Sequence, residues 1–208
     1  VTGNVLEEKH DFSLDKRALE SILLSFRGTY MQEVPLYSSV RVNGKRLYKY
    51  AREKEEVNLP KREVTIFDIS LLSFDSLSFS FKVKVSKGTY IRSLIRDIGD
   101  KLGIPCSMEE LERVKQGSFS IEDSYTLEDI EKGNYKVIPM LKAFENYFVV
   151  TADAYLENMI LNGRILENRY DQDLVVFKNE SDNVLAIYEV YDKDNTKIKP
   201  LKVFKDNA

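Results

Sequence analysis

One change of hydrophobic period constrains this chain more than any other feature. Phe79, Phe81, Val83 and Val85 alternate with Ser80, Lys82 and Lys84, whereas Ile91, Leu94, Ile95, Ile98 and Leu102 form one stripe at helical spacing. A period of two marks a half-buried strand, and steps of three and four mark an amphipathic helix. The chain here therefore reads as the end of a strand running into an amphipathic helix. The stretch "EVTIFDISLLSF" reads as a second strand, joined to the first by a hairpin through Asp75-Ser76. Gly103 and Pro105 end the helix.

The rest of the chain is punctuated in the same way. Thr2 to Asp11 reads as strand or loop. "FSLDKRALESILLSFRG" reads as a helix capped by Ser13, with Leu14, Ala18, Ile22 and Phe26 inward and Gly28 as its stop. A long excursion follows, with turn signals at Val34-Pro35, Asn43-Gly44 and Leu59-Pro60 and a short helix from Leu47 to Arg52. "SMEELERVKQGSF" suggests a short helix or turn and then an extended segment. "TLEDIEKGN" is a small acidic helix capped by Thr126. A domain boundary is expected between Lys136 and Tyr147, giving domains at 1–140 and 147–208. The second begins with a helix ending near Gly163 and continues as three or four short strands with turns at Ser181-Asp182-Asn183 and Asp194-Asn195.

Composition narrows the chemistry. The 208 residues carry a formal net charge of −3, which argues against wholesale binding to nucleic acid but not against a local basic patch. A single cysteine, Cys106, excludes a disulfide framework and a thiolate zinc site, and fits a reducing cytoplasm. A single histidine, His10, leaves little room for histidine-based metal chemistry or a Ser–His triad. No metal or other cofactor is expected. No apolar run approaches the ~20 residues of a membrane span. The chain starts at Val1, and is expected to be part of a longer protein.

Two stretches invite a functional reading. "YSSVRVNGKRLYKYAR" carries Arg41, Lys45, Arg46, Lys49 and Arg52 with Tyr37, Tyr48 and Tyr50 interleaved, and no acid. Cations neutralise phosphates and tyrosine faces stack on unpaired bases; the plain alternative is a solvated charged loop. The second is "VSKGTYIRSLIRDIGDKLG", which places Lys87 and Arg92 at a helix start. With Thr89 as cap, Tyr90 takes the first helical position and Arg92 the third. The dipole there favours anions, so the cations suggest an anion site; the alternative is an exposed arginine reaching into water. Arg113 and Lys115, after Glu109, Glu110 and Glu112, read as local surface salt bridges. Asp15 reads as a helix-start residue rather than a nucleophile, and Asp97 and Asp100 as polar-face residues.

The stretches "VPLYSSVRVNGKRLYKYAR", "VSKGTYIRSLIRDIGDKLG" and "LERVKQGSFSIEDSYTLEDI", in this order, resemble bacterial tRNA pseudouridine-55 synthases, the TruB family. The similarity is dense over 35–52 and 86–119 and looser elsewhere. The resemblance implies an α/β (α+β) fold: a partial pseudouridine synthase catalytic domain with a mixed, largely antiparallel sheet, plus a small β-rich PUA-like RNA-binding domain. It implies isomerisation of the T-loop uridine at tRNA position 55, without a cofactor, after the base is flipped out. It places Tyr90 against the flipped base, Leu111 in the pocket lining, and Arg92 beside the catalytic aspartate, holding it ionised. It makes 35–62 a thumb-like loop gripping the T stem-loop, with Lys87 and Arg113 as further RNA contacts. The family's "G-x-L-D" aspartate motif is not found in these 208 residues. The chain is therefore expected to lack the nucleophile and to be inactive alone. The alternative function is a non-catalytic tRNA-binding or tRNA-folding module; a third is an enzyme binding a small phosphorylated molecule at the Thr89 helix.

Overall fold

The computed structural model describes Val5 and residues 7–205. Of the Thr2–Asp11 stretch, residues 2–4 and 6 lie outside the described residues, and the rest is loop with a bend at Asp11. The chain divides into two compact units, Val1–Glu112 and Arg113–Ala208.

The first unit begins with α1 (Lys16–Leu24), capped by Asp15, whose carboxylate accepts the Ala18 N–H at 2.8 Å. The cap is thus Asp15 rather than Ser13, because its oxygen sits where an orphan N–H of the first turn points. Leu19, Leu23 and Phe26 are buried, with Leu14 and Ile22 packed beside them, and Ala18 faces solvent. Gly28 does not stop the helix, which ends at Ser25; it opens strand β1 (Gly28–Glu33). Two short strands, β2 (Arg41–Val42) and β3 (Lys45–Arg46), then close on a turn in which Asn43 and Gly44 have φ of 51° and 79°. Two successive positive φ values define the hairpin turn that Asn-Gly favours. Helix α2 (Leu47–Glu53) follows at the expected place.

Strands β4 (Lys61–Phe74) and β5 (Phe79–Val85) form the expected hairpin, and the sheet order is β1-β4-β5, all antiparallel. The apolar residues of β4 do not alternate strictly, and the register explains why. Shifts at Ile66/Asp68 and Leu71/Ser73 leave Phe67 and Leu72 as bulged residues, both exposed. Each bulge resets the alternation, so Ile66, Ile69, Leu71 and Phe74 all reach the core side. Helix α3 (Ile91–Leu102) covers that side, with Leu94 and Ile98 fully buried; each such side chain contributes roughly 1.5–3 kcal/mol. A Cβ on Gly99 would lie 2.8 Å from the Ile104 carbonyl oxygen, so glycine is what lets the returning loop cross the helix.

The second unit starts with a hairpin of β6 (Lys115–Gln116) and β7 (Phe119–Ser120). Helix α4 (Leu127–Glu131) is closed by a Thr126–Asp129 capping box. Strand β8 (Phe148–Thr151) and helix α5 (Ala154–Leu161) lead into β9 (Leu166–Glu167), β10 (Leu174–Lys178), β11 (Val184–Val190) and β12 (Lys197–Val203). The sheet order is β8-β10-β11-β12-β9, parallel only between β8 and β10. Its core gathers Ile160, Phe177, Leu185, Tyr188 and Ile198, with the Phe177 and Tyr188 rings edge to face at 5.2 Å. The Tyr188 hydroxyl donates to the Arg164 carbonyl at 2.9 Å, and burial pushes its pKa up to about 12. The sequence-based class, α/β with largely antiparallel sheets, is the observed one.

Candidate functional site

Strand β5 and helix α3 are joined by the turn Ser86–Thr89. The Thr89 hydroxyl donates to the Ser86 carbonyl at 2.9 Å, so Thr89 closes this turn and does not cap the helix. The N-cap is Tyr90, with no side-chain cap bond. Tyr90 therefore precedes the helix, Arg92 takes its second position, and Lys87 stands exposed in the turn. The register differs from expectation because a threonine hydroxyl has two local partners, and the tight turn offered the nearer one.

Two of the residues singled out in sequence meet here. The Arg92 guanidinium donates to the Tyr37 carbonyl at 2.9 Å, across 55 residues of chain. A carbonyl is a neutral acceptor, so this bond brings no counter-charge to the exposed Arg92. Among the described residues no ion pair engages it. Tyr90 and Arg92 thus lie at the edge of the core, within reach of solvent, beside the base of the basic segment.

A polar network that sequence reasoning missed anchors this edge. Gln32, on β1, is 1% exposed. Its side-chain oxygen accepts the Tyr90 backbone N–H at 2.8 Å, and its amide nitrogen donates to the Tyr30 hydroxyl at 2.8 Å. That hydroxyl lies 3.4 Å from an Asp97 carboxylate oxygen, and Arg96 bridges Asp97 and Glu33, each at 2.9 Å. Ser93, also buried, donates to the Glu33 carbonyl at 2.8 Å. Burial first, and then Asp97, push the Tyr30 pKa up to about 12. The one signal available in sequence was a glutamine at an inward position of a strand, and it was hidden because Gly28 read as a helix stop.

The basic segment is a hairpin and a helix. Arg41, Arg46, Lys49 and Arg52 are exposed, as is Tyr37. Lys45 differs: its ammonium bonds Glu53 and also Glu55, the latter at 2.7 Å, and lies 4.6 Å from the Tyr50 ring centroid. Those bonds raise the Lys45 pKa and lower that of Glu53. Lys54 turns the chain back at φ 55°, bringing Glu55 onto Lys45. The acids that balance this segment lie just beyond it in sequence. Arg52 lies over Tyr48, 5.4 Å from the ring centroid.

Leu111 is exposed. Arg113, in the second unit, donates to the Gln116 side chain at 2.8 Å; among the described residues neither it nor Lys115 pairs with Glu109, Glu110 or Glu112, contrary to expectation. Asp15 is fixed as a helix cap. The Cys106 thiol is half-buried and its pKa is raised, chiefly by desolvation, which makes it a poor nucleophile. Among the described residues no helix is long and apolar enough to cross a membrane.

Comparison with known proteins bears on this geometry. Residues 1–91 match the family described as TruB family pseudouridylate synthase (N terminal domain), and residues 92–161 match the tRNA pseudouridylate synthase B C-terminal domain. The tRNA pseudouridine synthase B of Staphylococcus aureus strain MSSA476 is 42% identical, covering 98% of this chain and 73% of that protein. That of strain JH9 is 41% identical with the same coverage. Among solved structures, a Cbf5-Nop10-Gar1 complex superposes with a TM-score of 0.67 at 23% identity, over 94% of this chain and 64% of that one. An H/ACA RNP bound to a substrate RNA containing 2'-deoxyuridine gives a TM-score of 0.67 at 22% identity, over 94% and 63%. The chain thus spans less than two thirds of those solved chains, and the likeness to them is one of fold.

Proposed function

The chain belongs to the TruB family of pseudouridylate synthases, and from that premise we propose that its parent activity is conversion of a T-loop uridine of tRNA, position 55, to pseudouridine. The observation that carries the reading is the Arg92–Tyr37 bond, which joins the start of α3 to the base of the exposed basic segment. A base flipped from a folded loop must be gripped through its backbone and received by a side chain at the same place. Arg41, Arg46, Lys49 and Arg52, with Tyr37, supply the grip on the T stem-loop, and Lys87 and Arg113 add phosphate contacts. Lys45 acts mainly by keeping the segment folded. Tyr90 packs against the flipped base, with Leu111 lining the pocket.

In the reaction the bond from ribose C1′ to N1 of uracil breaks and a bond to C5 forms. C5 loses its proton, N1 gains one, and no redox partner is needed. Arg92 supplies a fixed cation for the catalytic carboxylate and holds it ionised. Since these 208 residues hold no "G-x-L-D" stretch, no nucleophile is assigned among them. The first unit carries this catalytic role, with its thumb at 35–62. Residues 147–208 serve as a PUA-like RNA-binding domain, and the protein works in the cytoplasm.

The test is tritium release from a T stem-loop RNA carrying 5-tritiated uridine at the target position, incubated with the protein as its gene encodes it. Release at one equivalent per RNA supports the reading. Tight RNA binding without release overturns it and favours the second reading, a tRNA-binding module.

A further inference from the structure

The residues proposed to do chemistry are not held by the devices that usually fix a helix start. The N-cap Tyr90 has no side-chain oxygen that could serve the first turn, and no such bond forms. The Tyr90 backbone N–H is bonded instead to the side chain of Gln32, 58 residues away on β1. In a capping box, a side chain inside the helix reaches back to the N–H of the cap. Here a neighbouring strand supplies that half of the box.

We propose that Gln32 is a positioning residue for the reaction: by holding the Tyr90 N–H and the Tyr30 hydroxyl together, it sets where α3 begins and so where Tyr90 and Arg92 point. The inference rests on the pseudouridine-forming reading. Geometry leaves Gln32 little freedom. It is 1% exposed, its oxygen and nitrogen are both engaged at 2.8 Å, and swapping the two ends would set donor against donor at Tyr90. The orientation is fixed further by Tyr30, whose hydroxyl accepts from Gln32 and turns its own proton toward Asp97 on the second turn of α3. Ser93 in the first turn and Arg96 in the second tie the helix to Glu33, the neighbour of Gln32. The strand therefore grips the helix after Arg92 through Ser93, Arg96 and Asp97, and just before it through Gln32. Among the described bonds from β1 to this helix, that of Gln32 alone lies on the Tyr90 side, so its loss frees the Tyr90 N–H while the rest of the helix stays docked on the strand.

Gln32→Met keeps the length and apolar stem and removes both bonds. At saturating T stem-loop RNA, its single-turnover rate is expected to fall about tenfold to a hundredfold. RNA affinity stays within about twofold, because the basic segment is untouched. The Tyr90 amide should exchange its hydrogen faster, while amides in the middle of α3 keep their protection. A merely structural role would instead lower the melting temperature and speed exchange along all of α3. An unchanged rate, or a loss of rate matched by a loss of affinity, overturns the proposal. If Gln32→Met does not fold, Tyr30→Phe removes only the hydroxyl that orients the amide; it is expected to slow turnover and speed Tyr90 exchange, and no change in either overturns the proposal. If the wild-type protein releases no tritium, the functional reading fails by itself. The exchange measurement then decides the Gln32 claim, and unaltered Tyr90 exchange contradicts it.

Discussion

The start of α3 and the hairpin-helix at 41–53 are both rich in charge and hydrogen bonds, yet they spend them differently. At α3 the polar groups are buried: Gln32 is 1% exposed and Ser93 2%. A hydrogen bond there adds about 0.5–1.5 kcal/mol, and leaving its partner unmet costs more. At the basic segment, Arg41, Arg46, Lys49 and Arg52 stand in solvent, and the Lys45 pairings with Glu53 and Glu55 are screened. Buried networks fix geometry, whereas exposed cations attract phosphate over distance without fixing it. The contrast assigns positioning and chemistry to the first region and grip to the second.

The sharpest way to break this contrast is Arg92→Ala. It should lower the rate of pseudouridine formation about a hundredfold or more while leaving affinity for tRNA within about twofold. Comparable losses in rate and affinity would make Arg92 one more phosphate contact. Gly99→Ala should lower stability by about 1–3 kcal/mol, read as a lower Tm, since the new Cβ meets the Ile104 carbonyl. An unchanged Tm would mean the loop over α3 yields freely. Replacing Arg41, Arg46 and Lys49 by Ala together should weaken tRNA binding and flatten its salt dependence by about two to three charges. Lys45→Ala should flatten it less than any of these singly, because acids already meet its charge; an equal effect would show that RNA displaces Glu53 and Glu55.

The smallest effect is a titration. Tyr30 should ionise near pH 12 instead of near 10, followed by tyrosinate absorbance against Tyr30→Phe. The phenol is neutral in the folded network and its pKa is raised. Its contribution is therefore complete below pH 10 and lost as pH climbs toward 12. Stability of the first unit that is flat across this window would contradict the network.

Local signals carried much of this fold. The Asp75-Ser76 hairpin, the Asn43-Gly44 turn, helix α2, the Thr126 cap and the Gly103 stop each depend on residues a few positions apart, and each stands as expected. What sequence reading misplaced involved competing partners. Asp15 outdid Ser13 as a cap, Thr89 bonded backward into its turn, and Gly28 opened a strand. The role of Gln32 was illegible for a different reason. Its partners are Tyr90, 58 residues on, and Tyr30 beside it, and only the packing of α3 on β1 brings them together. Asp97, read as a plain polar-face residue, joined the network for the same reason. The partners of Lys45 were hidden from a reading of the basic stretch alone: Glu53, one position past it, ends α2, and Glu55 comes back onto Lys45 through the left-handed turn at Lys54.

The most direct test compares single-turnover tritium release at saturating T stem-loop RNA for the Arg41, Arg46 and Lys49 triple alanine variant and for Arg92→Ala. The division between grip and chemistry predicts that the triple variant, once saturated, reacts within about twofold of wild type. It predicts that Arg92→Ala stays about a hundredfold or more slower at any RNA concentration. A saturated rate that falls as far in the triple variant as in Arg92→Ala would contradict it.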